Sequence, residues 1–355
     1  MRIAKRSPAG FLVLLAWMLL PAGLLAKTEG LFYYVPGEDG WRALLANARK
    51  ISILAPQVFT VDLAGAVRGT VEKRTRSLAA QYGIRIMPLL VNENFSSEVA
   101  HSILSEEHLR QRVISDSVRL CQETGCWGLQ LDFEGVLLED GKHYTQFVRE
   151  AAQALHARGL QLSVAVPSPL FVGSWPPETY ELGFGGFPVA SQPYDLREIA
   201  RHVDFLSLMS YDHHGKGTSP GPIAGYPWVE QSIRYVLRFV PRQKVSLGLG
   251  FYARQWCDQQ VSESSYLETT RLANGAGAAL RWHALHRSPW FELEDTDCRK
   301  VVWFENRQSL REKLKLVRKY GLQGFSAWRL GQEDPNFWKE LPERRMGGPK
   351  SAGTS

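Results

Sequence analysis

The chain has 355 residues, 44% of them apolar and 22% charged, which supplies a large core and excludes disordered, collagen-like and coiled-coil chains. Its formal charge of +6 falls to +3 once Arg2, Lys5 and Arg6 are set aside, leaving 39 basic residues against 36 acidic. No Lys/Arg run is long enough to track a phosphate backbone, so nucleic acid is not an expected partner. The 31 glycines, 11 tryptophans and 12 tyrosines suit carbohydrate sites as well as cores, and composition alone does not choose.

In chain order, basic residues at 2, 5 and 6 precede the apolar run Phe11 to Leu20, Pro21 and the small-residue stretch ending at Ala26. This reads as a secretory signal peptide over residues 1–26, cleaved after Ala26, giving a secreted or periplasmic protein. The run is too short and too interrupted for a stable membrane anchor. Short β-rich runs then alternate with amphipathic stretches, the pattern of parallel strands with helical crossovers. Strands are expected at Leu31 to Val35, Ile51 to Val61, Arg85 to Val91, Gly128 to Glu134, Gln161 to Pro167, Phe205 to Tyr211, Val245 to Tyr252 and Gly324 to Trp328. Helices are expected at Val67 to Tyr82, Glu106 to Glu123, His143 to Arg158, Trp228 to Phe239 and Ser309 to Tyr320, with Gly83, Gly159 and Gly321 closing three of them.

Eight such units predict an α/β fold, a TIM (β/α)8 barrel over residues 27–341 with a small α+β insertion between strands seven and eight, at about residues 254–305. Within the insertion, Ser264 to Leu285 reads as helix, and Trp290 to Leu293 with Lys300 to Phe304 as a hairpin across Asp295-Thr296-Asp297. A second long loop, Pro167 to Pro193, follows strand five, and residues 342–355 read as a disordered tail. Export permits disulfides among Cys121, Cys126, Cys257 and Cys298. Of the three possible pairings, the local one is the most economical: Cys257 with Cys298 and Cys121 with Cys126. Their spacing disfavours a zinc site.

Strand four departs from the continuous apolar run of a buried parallel strand. Leu129, Leu131 and Phe133 alternate with Gln130, Asp132 and Glu134, so one set faces the helix layer and the other faces the barrel. A desolvated polar column costs several kcal/mol unless it is hydrogen-bonded or sits at a solvated mouth, where barrels gather their catalytic groups. A purely structural polar network is the competing explanation.

The segment Gly128-Leu129-Gln130-Leu131-Asp132-Phe133-Glu134 resembles the strand-four signature of family 18 glycoside hydrolases. Leu208-Met209-Ser210-Tyr211-Asp212 is similar to that family's strand-six motif, and Gly324-Phe325-Ser326-Ala327-Trp328 to its strand eight. Three further segments, Ser219 to Gly225, Val302-Trp303-Phe304-Glu305 and Trp328 to Pro335, resemble the subgroup containing spore-cortex N-acetylglucosaminidases.

The resemblance implies cleavage of an N-acetylglucosamine-containing polysaccharide, with peptidoglycan-type glycans favoured over chitin, by a monomer that needs no cofactor or metal. It implies substrate-assisted retention, in which the 2-acetamido oxygen of the substrate is the nucleophile. Glu134 is then the general acid, Asp132 orients the acetamide and Tyr211 donates to its oxygen. Gln130, Met209, Asp212 and Trp328 are expected to bind substrate, and so is Asn92, although turn chemistry explains Asn92 equally well. Gln130 departs from the family pattern, in which an Asp commonly stands at this place. An amide there can hydrogen-bond Asp132 but cannot share a proton with it, so Asp132 is expected to stay ionised.

Other signals are weaker. His213 and His214 are adjacent, which disfavours a shared metal, while His283 and His286 read as surface residues at helical spacing. Gly248-Leu249-Gly250 lacks the third glycine of a dinucleotide loop and reads as small residues at the barrel wall. A non-catalytic glycan-binding barrel is the second reading, and the retained Glu134 beside Asp132 favours an enzyme.

Overall fold

Each apolar run forms a strand in the computed structural model, which describes residues 29–168, 193–258, 260–294 and 298–344. The expected signal peptide, the tail from residue 345, most of the loop after strand five and the Asp295–Asp297 turn lie outside the described residues. Eight parallel strands are β1 (Glu29–Tyr34), β2 (Ile53–Val61), β3 (Leu89–Asn92), β4 (Gly128–Asp132), β5 (Gln161–Pro167), β6 (Phe205–Met209), β7 (Val245–Gly250) and β8 (Gly324–Trp328). Each pairs with the next, and β1 pairs with both β2 and β8, closing a TIM barrel.

Period two sorts the strand residues into two layers. Leu129, Leu131 and Phe133 join the core between barrel and helices, as their alternation predicts. Inside the barrel, Leu31, Tyr33, Ile53, Ala55, Leu89 and Val91 from β1 to β3, with Met87 just before β3 and Phe205 at the start of β6, form a second, apolar cluster. The later strands instead place Gln130, Ser163, Ser207, Ser246 and Ser326 there, all buried. They satisfy one another: the Gln130 Nε2 donates to Ser163 Oγ at 2.6 Å and to Ser207 Oγ at 2.9 Å. Ser326 continues the chain to Ser207 at 2.9 Å and to Ser246 at 2.7 Å.

Several elements differ from the expected ones. The helix expected from Val67 begins only at Lys73, and Val67–Arg68 pairs antiparallel with the end of β2. Gly69 explains the break: its φ is +130°, and a Cβ there would lie 1.8 Å from the Val58 carbonyl oxygen. A helix at Ser97–Ser105, capped by the Ser96 hydroxyl, precedes the expected one at Glu107–Thr124. In the insertion the helix stops at Gly275, and Arg281–His283 is a strand. That strand completes a five-stranded antiparallel sheet with Tyr252–Cys257, Gln260–Ser265, Ser288–Glu294 and Arg299–Phe304. The expected hairpin is present, with Trp290 opposite Trp303 and Leu293 opposite Lys300.

A disulfide joins Cys257 to Cys298 at the ends of two neighbouring strands of this sheet. The second expected pairing is not made, because Cys121 and Cys126 are buried free thiols. They sit across the C-terminus of the helix Glu107–Thr124, where the Cys126 N–H bonds the Cys121 carbonyl at 2.9 Å and Gly125 is left-handed. Apolar side chains commonly clasp across such a turn, and the two sulfurs occupy that place.

Candidate active site

The C-terminal ends of the strands open into a cavity of about 460 Å³ lined by Asp132, Glu134, Tyr211, Asp212, Met209 and Trp328 among others. Sequence reasoning anticipated these six and missed Tyr33, Gln57, Phe95 and Tyr194, which line the same cavity. Tyr33 was legible, since it alternates with Leu31 on β1. Phe95 and Tyr194 come from irregular segments, for which periodicity gives no signal.

Asp132 is the last residue of β4 and is buried, whereas Glu134 follows it beyond the strand and is half-buried. Burial, and secondarily the Glu134 carboxylate, pushes Asp132 up to about 8. Burial, with the charge of Asp212, also raises Glu134 above the usual carboxylate range. The expectation that Asp132 stays ionised beside an amide is therefore not met: burial without a cation supplies what a second carboxylate would have supplied. Nor does Gln130 turn to Asp132. Its amide nitrogen is engaged by two serines, and the Gln130 Oε1 and Asp132 Oδ1 are both buried without a hydrogen-bond partner.

The opposite wall is built by a sharp turn after β6. The Ser210 hydroxyl donates to the Gly248 carbonyl at 2.9 Å, and Asp212 adopts a left-handed φ of +61° that aims its side chain inward. Glycine is required at 248, where a Cβ would stand 2.4 Å from the Leu208 oxygen and 3.0 Å from the Tyr211 ring. Asp212 is held from the insertion: Arg254 pairs with it at 2.5 Å, and the Tyr252 hydroxyl donates to the same oxygen. Arg254 also binds Glu263 at 2.8 Å and the His214 carbonyl at 2.8 Å. Tyr252 and Arg254 were not singled out in the sequence, although their period-two spacing places both on one face of the strand.

Trp328 ends β8, with its ring 5.4 Å from that of Tyr33 and its carbonyl accepting from the Phe251 N–H at 2.6 Å. The Trp328–Arg329 peptide is cis. Asn92 and Gln130, expected to bind substrate, do not line the cavity. Asn92 is fully buried and bonds Ser96 and Glu134 instead. His213 stacks on Trp228 with centroids 4.6 Å apart. His283 and His286 pack on Trp303 at 5.6 and 6.2 Å rather than lying on a helix, because residues 281–283 form a strand. Glu305 and Glu333, within the motifs that resemble the spore-cortex enzymes, bond Lys313 at 2.8 Å and the Trp338 indole at 3.0 Å. These two carboxylates are structural here.

The model of glycosyl hydrolases family 18 matches residues 54–333, spanning β2 through β8 and the strands that carry or lead into Asp132, Tyr211 and Trp328. The chain belongs to glycosyl hydrolase family 18. It is 25% identical over 330 residues to the uncharacterized glycosylase YvbX of Bacillus subtilis, covering 89% of this chain and 92% of that protein. To the cortical fragment-lytic enzyme of the same organism it is 27% identical over 266 residues, 73% of this chain but 59% of that enzyme's length. Among solved structures, a chitinase from Chromobacterium violaceum superposes with a TM-score of 0.78 at 28% identity, covering 88% of this chain and 97% of the chitinase. The Bacillus cereus spore cortex-lytic enzyme SleL, at 23% identity and a TM-score of 0.77 over 88% of this chain and 73% of its own, shares the fold.

Proposed function

We propose that the chain is an exported glycoside hydrolase that cleaves β-1,4 bonds after N-acetylglucosamine in peptidoglycan-type or chitin-type glycans by substrate-assisted retention. The observation that carries this reading is the state of the three carboxyl groups on the cavity. Asp212 is tied to Arg254 and Tyr252, and Asp132 is buried, so among the described residues Glu134 is the carboxyl placed to exchange a proton at the mouth. With no second exposed, unpaired carboxylate on the cavity among the described residues, the acetamide of the substrate itself is the fitting nucleophile.

Glu134 gives its proton to the glycosidic oxygen as the acetamido oxygen bonds the anomeric carbon and the leaving sugar departs. In its ionised form Asp132 takes a hydrogen bond from the acetamide N–H, and its carboxylate offsets the positive charge of the oxazolinium ion. The Tyr211 hydroxyl donates to the acetamide oxygen and sets its angle of attack, and the Trp328 indole supports the sugar ring from below. Glu134, now a carboxylate, removes a proton from water as the water opens the oxazolinium ring. The raised Glu134 pKa keeps the acid loaded toward neutral pH, and activity declines as pH rises through it.

The names of the cortical fragment-lytic relatives support peptidoglycan-type glycans, and the Chromobacterium violaceum chitinase supports chitin-type ones. The leader over residues 1–26 supports export. Incubating the purified protein with chitooligosaccharides and with peptidoglycan, and reading product ends by mass, tests the proposal. Products ending in reducing N-acetylglucosamine are expected. Intact substrates of both kinds would instead favour a glycan-binding barrel.

A further inference from the structure

The β4 ladder stops two residues short of where the chemistry needs it. β3 and β4 pair as Leu89 with Gln130, Leu90 with Leu131 and Val91 with Asp132, and there the pairing ends. Glu134, two residues on, has no strand beside it to fix its backbone. A side chain occupies that place: the Asn92 Oδ1 accepts from the Glu134 N–H at 3.0 Å, and its Nδ2 donates to the Glu134 carbonyl at 2.9 Å. The primary amide bonds both the N–H and the C=O of this one residue, as the facing residue of an antiparallel strand would.

The second hydrogen of the Asn92 amide donates to the Ser96 carbonyl at 2.9 Å, closing the turn Glu93–Phe95. In that turn Asn94 and Phe95 both have left-handed φ, +54° and +52°. Such a conformation is unfavourable for non-glycine residues and persists only when its surroundings hold it. The turn in turn abuts the residue after Glu134, since a Cβ on Gly135 would meet the Phe95 carbonyl and the Ser97 hydroxyl at 2.9 Å each. On the other side, the Tyr194 hydroxyl donates to the Phe133 carbonyl at 3.1 Å. Asn92 is itself fully buried, so no water competes for these bonds.

We infer that Asn92 is a positioning residue for the general acid: its amide locks the backbone of Glu134 and, through the Phe95 turn, joins the acid to one wall of the cavity. The inference rests on the assignment of Glu134 as the acid. An aspartate at this position keeps the shape and the acceptor for the Glu134 N–H, but it replaces both N–H donors with oxygen, so the Glu134 and Ser96 carbonyls lose their partners.

The test compares Asn92→Asp with wild type in the full chain on two substrates, chitotetraose and 4-nitrophenyl N,N′-diacetylchitobioside. The nitrophenolate leaves without a proton, whereas a sugar alkoxide does not. Misplacing the acid by about 1 Å is expected to lower kcat on chitotetraose about 10²-fold with little change in KM, while kcat on the nitrophenyl glycoside falls less than about 5-fold. Asn92→Ser, which is smaller and keeps a hydroxyl, is measured alongside; the same selective loss is expected, and it decides the question if the aspartate variant does not fold. Equal losses on both substrates, or no loss on either, would overturn the positioning role. A wild type inactive on both of these and on peptidoglycan would overturn the glycosidase reading itself, and the inference with it.

Discussion

The two halves of the barrel interior are made of different material. β1 to β3 fill their side with Leu31, Tyr33, Ile53, Ala55, Leu89 and Val91, while the later strands line theirs with Gln130 and four serines bonded in a chain. The apolar half gains by leaving water; the hydroxyl half gains little net energy from bonds it could equally have made to water. Asp132 stands at the end of this polar side, where burial and then the Glu134 carboxylate push its pKa up to about 8. One half therefore carries stability, and the other provides a polar floor for the catalytic carboxyl groups.

The comparison breaks most visibly at Glu134. Glu134→Gln keeps shape and loses the transferable proton, and is expected to lower turnover at least about 10³-fold while glycan affinity stays within a few-fold. Turnover above one percent of wild type, measured by product release, would remove Glu134 from the acid role.

Asp132→Asn comes next. Turnover should fall about 10²-fold or more with the lost oxazolinium stabilisation. Stability should move the other way at high pH. The folded pKa of Asp132 lies above its unfolded value, so its contribution is fully present below pH 4 and is lost as pH rises through about 8. Wild type should therefore be less stable at pH 9 than at pH 6, by on the order of 2 kcal/mol, and the difference should shrink in Asp132→Asn. Denaturant unfolding at the two pH values checks it.

Two alanine variants sharpen the contrast between the halves. Leu89 is fully buried among apolar neighbours, and Leu89→Ala should cost about 2–5 kcal/mol. Ser246→Ala removes one bond of the serine chain and should cost about 1 kcal/mol. Equal costs in thermal unfolding would contradict the division. A smaller effect is expected of Gln130→Asp, which places a second buried carboxyl group two residues before Asp132 on the same face of β4; nearby buried like charges disfavour ionising both. The acidic limb of the pH–rate profile should gain an ionisation, and an unchanged limb would remove any coupling between the two positions.

Strand four and the outward set Leu129, Leu131 and Phe133 were legible because alternation survives folding unchanged. The insertion was less so. Its helix stops at Gly275 and gives way to the strand Arg281–His283, because pairing with Ser288–Glu294 overrides the helical spacing of His283 and His286. Asn92 was legible only as a polar residue after a strand; that it serves the backbone of Glu134 depends on a contact across 42 positions. The state of Asp132 was misjudged because charge was weighed from its neighbour at 130, whereas burial, which no single strand reveals, decides it.

The central claim is that the acetamide of the substrate, positioned by Asp132 and Tyr211, replaces a protein nucleophile and that Glu134 both donates and recovers the proton. Proton NMR of the first-formed products from chitotetraose, taken before mutarotation, tests it most directly. Two displacements at the anomeric carbon predict the β-anomer at the new reducing end. Accumulation of the α-anomer instead would mean a single displacement by water and would contradict the account.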